Sequence, residues 1–388
     1  MIKKSKGKRV IFVISLILIF GIITLLYYLA SAFWFTYSFL LISIIALVIL
    51  RNRSFYKGFK ALICWILVIT ISMVGLSFFR VEKNVSLTGV VARESIRHIM
   101  QLPSLSGDGL FEQGADFTSN ESKWSPPKGY GLEKYDLEGL PLEMLTRDGG
   151  REEKVILHFH GGAYVMGLSD IYRNVALRYS KISGGATVAT IDYRLAPENV
   201  FPAALEDAQK AWEWLLYQGY DPHDIIIAGD SAGGNLALAL TAKLRDEERE
   251  LPNSLVLMSP WTDMAAEGAS YKDNIYKDPI FGLPKGTDII DKEKGNAYAA
   301  DTDLYHPYLS PIYGEFDNFP PMLIQVGTYE ILESDSQTLY DKAIDADVDA
   351  ILTKHEGMFH VFQLAGNLIP ESRAAWIEVK DYIIKQFE

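Results

Sequence analysis

The chain has a single cysteine, Cys64, among 388 residues, so it can form no intramolecular disulfide and has no cysteine pair for a metal. Its seven histidines show no H-x-x-x-H spacing, and neither a metal nor an organic cofactor is expected. Basic charge is scarce after residue 83, where 26 Lys and Arg face 48 Asp and Glu. That balance excludes nucleic acid as an expected partner, because phosphate binding needs the opposite sign. No internal repeat and no low-complexity tract is visible.

Charge of either sign is missing from Val10 to Leu50 and again from Ala61 to Phe79. As one helix, the first stretch would be about 60 Å long, roughly twice the hydrocarbon thickness of a bilayer. Two antiparallel spans near 10–30 and 34–50 are therefore predicted, with Tyr27, Tyr28, Trp34 and Tyr37 as an interfacial cluster at their turn. The second stretch predicts a third span near 61–79. Lys3, Lys4, Lys6, Lys8 and Arg9 precede the first span, and Arg51, Arg53, Lys57 and Lys60 follow the second. Both ends of the hairpin are thus expected in the cytoplasm and residues 80–388 outside it, although Arg80 and Lys83 weaken the contrast. Ala30-Ser31-Ala32 resembles a signal-peptidase site, but a cleaved signal has a shorter apolar core and no second span behind it.

Two motifs carry chemistry. Ile225-Ile226-Ile227-Ala228-Gly229-Asp230-Ser231-Ala232-Gly233-Gly234 is an apolar strand-like run feeding G-x-S-x-G, with a helix-forming run behind it. Small residues at Gly229, Ala232 and Gly233 suit a turn tight enough to leave the Ser231 hydroxyl standing above the sheet, over a helix N-terminus. Seventy residues earlier, Val155-Ile156-Leu157-His158-Phe159 ends in His160-Gly161-Gly162-Ala163-Tyr164. Amides of Gly161 and Gly162, with that of Ala232, would supply donors for a tetrahedral oxyanion. Either motif alone is often only a tight turn; in this order, each behind a strand, they point to acyl transfer. His158, His160 and Asp230 flank the site and are expected to hold its loops by hydrogen bonds; Arg194, Glu198, Glu206 and Asp207 read as loop-fixing or surface groups.

Together the motifs resemble the HGGG and GDSAGG signatures of the hormone-sensitive-lipase-like branch of the α/β-hydrolases. The likeness runs from about Tyr130 to the C-terminus, through Ile191-Asp192-Tyr193-Arg194-Leu195-Ala196-Pro197-Glu198 and Phe201-Pro202-Ala203-Ala204-Leu205-Glu206-Asp207-Ala208. Ser259-Pro260-Trp261-Thr262-Asp263 and Pro320-Pro321-Met322-Leu323-Ile324-Gln325-Val326-Gly327 fall where that family has later strands. It implies an α/β-hydrolase fold, a mostly parallel sheet with helices on both faces and a helical cap, here preceded by the transmembrane helices. Ala163 replaces the family's third glycine, which puts chain-length preference in doubt.

Fold order requires an acid and then a histidine after the serine. Glu330 takes the family's place for the acid, two residues before Leu332, with Glu333 and Asp335 as rivals expected inside the next helix. His360, in a glycine-containing loop, takes the place of the base, while His355 reads as a strand end. The organisation expected is a membrane region over 1–83, a linker or N-terminal cap over 84–129 and a catalytic domain over 130–388. A helix is expected around Val91–Leu102, and a second cap piece over 264–304. The implied activity is a serine carboxylesterase or lipase-like enzyme acting on a small ester or lipid; an amidase or peptidase, or a non-catalytic receptor, are the alternatives on the same fold.

Overall fold

Short apolar runs with no polar alternation belong in a parallel sheet covered on both faces. The computed structural model describes residues 82–101, 123–283 and 297–388. Its strands are β1 (Tyr130–Asp136), β2 (Pro141–Arg147), β3 (Val155–Phe159), β4 (Thr187–Ile191), β5 (Ile225–Asp230), β6 (Ser254–Met258), β7 (Met322–Gly327) and β8 (Ala350–His355). They form one sheet in the order β1-β2-β4-β3-β5-β6-β7-β8. The pairs β1·β2 and β2·β4 are antiparallel; the remainder of the sheet is parallel. The sequence places β3, β5 and β7 correctly, and β1 starts at Tyr130, where the family resemblance begins. Ser259–Asp263, however, is the loop that follows β6.

The helices are α1 (Leu87–Met100), α2 (Asp170–Ile182), α3 (Ala203–Tyr217), α4 (Ala232–Asp246), the four-residue α5 (Ser270–Asp273), α6 (Glu333–Asp345) and α7 (Pro370–Gln386). Successive strand residues point to opposite faces, and the two cores divide accordingly. Val155, Leu157, Phe159, Ile225 and Ile227 pack with residues of α3, α4 and α6, among them Trp212, Leu240 and Leu339. Ile156, Ile226, Ala228 and Val256 pack with Val175 and Tyr179 of α2 and with Trp376, Val379 and Ile383 of α7. After β4 the chain crosses to the far side of β3 to form β5. Where strand order reverses in this way, the carboxyl ends of the strands open a crevice.

The chain divides into two compact units, Met1–Ser95 and Ile96–Glu388. In the first, α1 begins at Leu87, earlier than the predicted Val91, because Ser86 Oγ accepts the Gly89 N–H at 2.9 Å and caps the helix. Arg93, 1% exposed, grips Glu82 with two nitrogens at 2.7 and 2.8 Å. The three expected membrane spans, 10–30, 34–50 and 61–79, lie outside the described residues. Among the described residues no helix is long and apolar enough to cross a membrane.

Behind Ser231 the fold leaves no room for a side chain. A Cβ on Gly233 would lie 2.1 Å from the Phe159 carbonyl oxygen and 2.7 Å from that of His160. Gly233→Ala is expected to lower unfolding free energy by about 3 kcal/mol or more. Gly139→Ala, at φ +90° with nothing within 4 Å, should cost only about 1 kcal/mol. Urea denaturation of the two variants checks the ranking, and equal midpoints would refute the steric argument.

Candidate active site

Ser231 sits between β5 and α4 with φ 54° and ψ −120°, a conformation that L-residues rarely adopt. Three backbone bonds keep it there. Its N–H donates to Met258 O at 3.0 Å, and its carbonyl accepts from Trp261 N and Asn235 N, both at 3.1 Å. Ala232 is the first residue of α4, so its N–H has no partner within the helix and faces the positive end of the helix dipole.

The loop after β3 is equally constrained. Gly162 has φ +121°, open to glycine and little else, and a Cβ there would press on Met166. Ala163 and Tyr164 follow at φ 54° and 63°. Tyr164 pins this stretch: its hydroxyl donates to Asn235 Oδ1 at 2.7 Å, and its ring stacks on Tyr298 at 3.9 Å. His160 acts as expected of a loop holder. Its Nδ1 lies 2.8 Å from Gly161 O, its ring stacks on Tyr193 at 4.2 Å, and its carbonyl accepts from the Tyr193 hydroxyl. Burial pushes its pKa down, as it pushes that of His158 to about 3, so both rings stay neutral.

Glu330 and His360, thirty residues apart, meet across the ends of β7 and β8. Glu330 Oε2 lies 2.9 Å from His360 Nδ1. The other oxygen, Oε1, accepts from Ser259 Oγ at 2.8 Å and from the Gly327 N–H. Glu330 is fully buried, which pushes its pKa up, while His360 and these hydrogen bonds pull it back down. The rivals serve elsewhere. Asp335, within α6, accepts the Thr262 and Asp263 N–H groups at 2.9 Å each, and Glu333 pairs with Lys354. His355 ends β8 with its Nε2 3.5 Å from Glu378.

Ser259 and Phe281 had no sequence signal for their role, while Asp230 holds a loop by hydrogen bonds as expected but through partners the sequence did not name. Ser259, at φ 46°, bridges Glu330 and the Val361 N–H, which it accepts at 3.2 Å. Asp230 accepts from Tyr172 OH at 3.0 Å. Burial pushes the Asp230 pKa up to about 7, with Tyr172, His360 and the Gly161 amide pulling the other way. Gly161 thereby ties the loop after β3 to the end of β5, and a Cβ on it would fall 2.3 Å from Asp230 Oδ2. Phe281 rests on His360 with ring centroids 4.8 Å apart. Among the described residues no group of His, Cys, Asp and Glu is arranged to hold a metal ion.

A serine at the turn after the central strand of such a sheet, with an acid and a histidine on the next loops, is the architecture of the α/β-hydrolases. The family of the alpha/beta hydrolase fold matches residues 156–364. An acetyl-hydrolase of Streptomyces hygroscopicus is 37% identical over 235 residues, covering 60% of this chain and 76% of that protein. A carboxylesterase/phospholipase of Mycobacterium tuberculosis is 32% identical over 272 residues, 67% and 70% of the two chains. The crystal structure of an esterase from the bacterial hormone-sensitive lipase family superposes with a TM-score of 0.67 at 33% identity, covering 78% of this chain and 99% of that one. The chain belongs to the α/β-hydrolase family, in its hormone-sensitive-lipase-like branch, and is a carboxylic ester hydrolase.

The Asp230 carboxyl has a testable pH signature. Its pKa is raised from 3.8 to about 7, so the folded chain binds this proton more tightly than the unfolded chain does. The resulting stability is complete below about pH 4 and is lost as pH rises to 7, by up to about 4 kcal/mol. Asp230→Asn should flatten the pH dependence over that interval. Parallel stability curves for the two proteins from pH 4 to 7 would contradict the assignment.

Proposed function

We propose that this chain is a membrane-anchored serine carboxylesterase that cleaves short to medium acyl esters with Ser231, His360 and Glu330. The observation that carries the reading is the 2.9 Å contact between His360 and a fully buried Glu330. In this scheme His360 removes the Ser231 proton as Oγ attacks the ester carbonyl. Amides of Gly162 and Ala232 meet the charge on the tetrahedral oxygen, whereas the Gly161 amide, expected from the sequence as a third donor, is already turned to the Asp230 carboxyl. His360 then returns the proton to the leaving alcohol, and water repeats the attack on the acyl-enzyme to release the acid. Glu330 keeps the imidazole in the tautomer that presents Nε2 to the serine and stabilises its charged form.

Ala163 is the reason for expecting short acyl groups. It replaces a glycine of the family motif and is half-buried in the loop beside the oxyanion donors. Each methylene of the acyl chain should add up to about 0.8 kcal/mol of burial until the pocket is full and nothing afterwards. Ser231→Ala and His360→Ala should each abolish turnover, Glu330→Gln should cost less, and His355→Ala and Asp335→Asn should be mild. Assays on p-nitrophenyl esters from acetate to palmitate check both points, with kcat/KM expected to peak at or below hexanoate. An active Ser231→Ala protein would sink the triad. A peak at dodecanoate or beyond would favour a lipase, faster turnover of amides an amidase, and a protein inert to esters, amides and fluorophosphonate a receptor.

The anchor rests on the uncharged stretches 10–50 and 61–79 and on the basic residues at both hairpin ends. Three spans would leave the catalytic unit outside the cytoplasm. Protease added to intact cells or spheroplasts should therefore remove it. Protection until the membrane is broken would mean an inverted arrangement or an even number of spans.

A further inference from the structure

Residues 274–283 fold back on themselves beside the base. Leu283 N–H donates to Ile275 O at 2.7 Å, and Asp278 N–H to Asn274 O at 2.8 Å. Gly282 is needed at the closure, where a Cβ would lie 2.2 Å from Asp278 O. Two buried side chains fasten this segment to the loop carrying Glu330. Asn274 donates from Nδ2 to Thr328 O at 3.1 Å and to Glu330 O at 2.8 Å. Asp278, 1% exposed, accepts the Ile331 N–H on Oδ2 at 2.9 Å and the Ile280 and Phe281 N–H groups on Oδ1 at 2.8 and 3.1 Å. Arg97 clasps the same segment, donating to the carbonyls of Tyr276 and Lys277.

We propose that Asp278 is a positioning residue for the base, joining the residue after Glu330 to Phe281 so that the Phe281 ring holds the His360 imidazole in line with Glu330. The proposal rests on the triad reading above. One buried carboxylate sets both ends of the arrangement: Oδ2 fixes the backbone next to the acid, and Oδ1 fixes the backbone of the residue whose ring abuts the base. Phe281 meets His360 at an interplanar angle of 61°. A ring in that position blocks rotation of the imidazole away from Glu330 and keeps water from that side of it. Asn274 reinforces the tie at Thr328 and Glu330, whereas Asp278 reaches both Ile331 and Phe281.

The test uses the full chain in detergent with p-nitrophenyl butyrate. Asp278→Asn keeps one acceptor oxygen and sets an NH₂ group against an N–H at the other end. It should lower kcat about 10- to 50-fold with KM within twofold, the pattern of a misdirected base rather than a lost substrate contact. Phe281→Ala should fall in the same way, and Phe281→Tyr, which keeps the ring, should stay within threefold of the parent. Phe281 is only half-buried, so its pair of variants decides the matter even where Asp278→Asn fails to fold. Unchanged kcat in Phe281→Ala, an effect on KM alone, or equal loss in Phe281→Ala and Phe281→Tyr would overturn this proposal. Those outcomes leave the triad reading standing. Turnover surviving in Ser231→Ala would instead overturn both.

Discussion

The site depends on how closely two pieces of backbone can approach. The first turn of α4 packs against the end of β3 with Gly233 nearly touching the Phe159 carbonyl. This approach sets the turn that holds Ser231 at a positive φ and brings the loop after β3 beside the serine. A wider turn would relax Ser231 but carry Gly162, the donor proposed for the oxyanion, away from it. Oxyanion stabilisation weakens steeply once donors leave hydrogen-bond distance, so a larger residue here would cost geometry as well as stability.

Buried carboxylates organise the rest. Glu330, Asp230, Asp278 and Asp335 are each 4% exposed or less, yet each accepts backbone N–H or hydroxyl donors from segments distant in sequence. A buried charge is costly unless such donors surround it, so each carboxylate fixes the loops that satisfy it. Asp335 joins the start of α6 to the loop after β6. Asp278 joins the segment at 274–283 to the loop after β7. The strand ends therefore bear groups held by mutual satisfaction of polar atoms rather than by apolar packing alone.

The pairing of Glu330 with His360 agrees with the places that the family resemblance implies for them, and the tight turn at Ser231 with its G-x-S-x-G motif. β5 and β7 could be read from apolar runs alone, and the start of β1 at Tyr130 coincides with the start of the resemblance. The roles of Ser259, Asp278 and Phe281 were not legible, since each depends on a partner 53 to 102 residues away. Asp230 and Ser259 even stand inside quoted motifs, where adjacency to Ser231 or Pro260 says nothing of Tyr172 or Glu330. The start of α1 was missed for a local reason: Thr88 and Gly89 are weak helix formers, and the cap at Ser86 outweighs them.

Backbone strain marks the same place. Ser231, Ala163, Tyr164, Ser259 and Val361 all adopt positive φ without being glycine. Ser231 forms the turn after β5, Ala163 and Tyr164 lie in the loop after β3, Ser259 contacts Glu330, and Val361 follows His360. Val361, at φ 47° and ψ 42°, is a β-branched residue in the left-handed region, where such side chains are rare. Each such residue costs about 1–3 kcal/mol and persists only where its neighbours over-determine it. Val361 is 5% exposed and donates its N–H to Ser259 Oγ, so the hydroxyl that supports the acid also fixes the backbone beside the base. A relaxed Val361 would turn the imidazole away from Glu330. Strain at 361 and hydrogen bonding at 259 are therefore two sides of one constraint, which fixes the backbone beside His360.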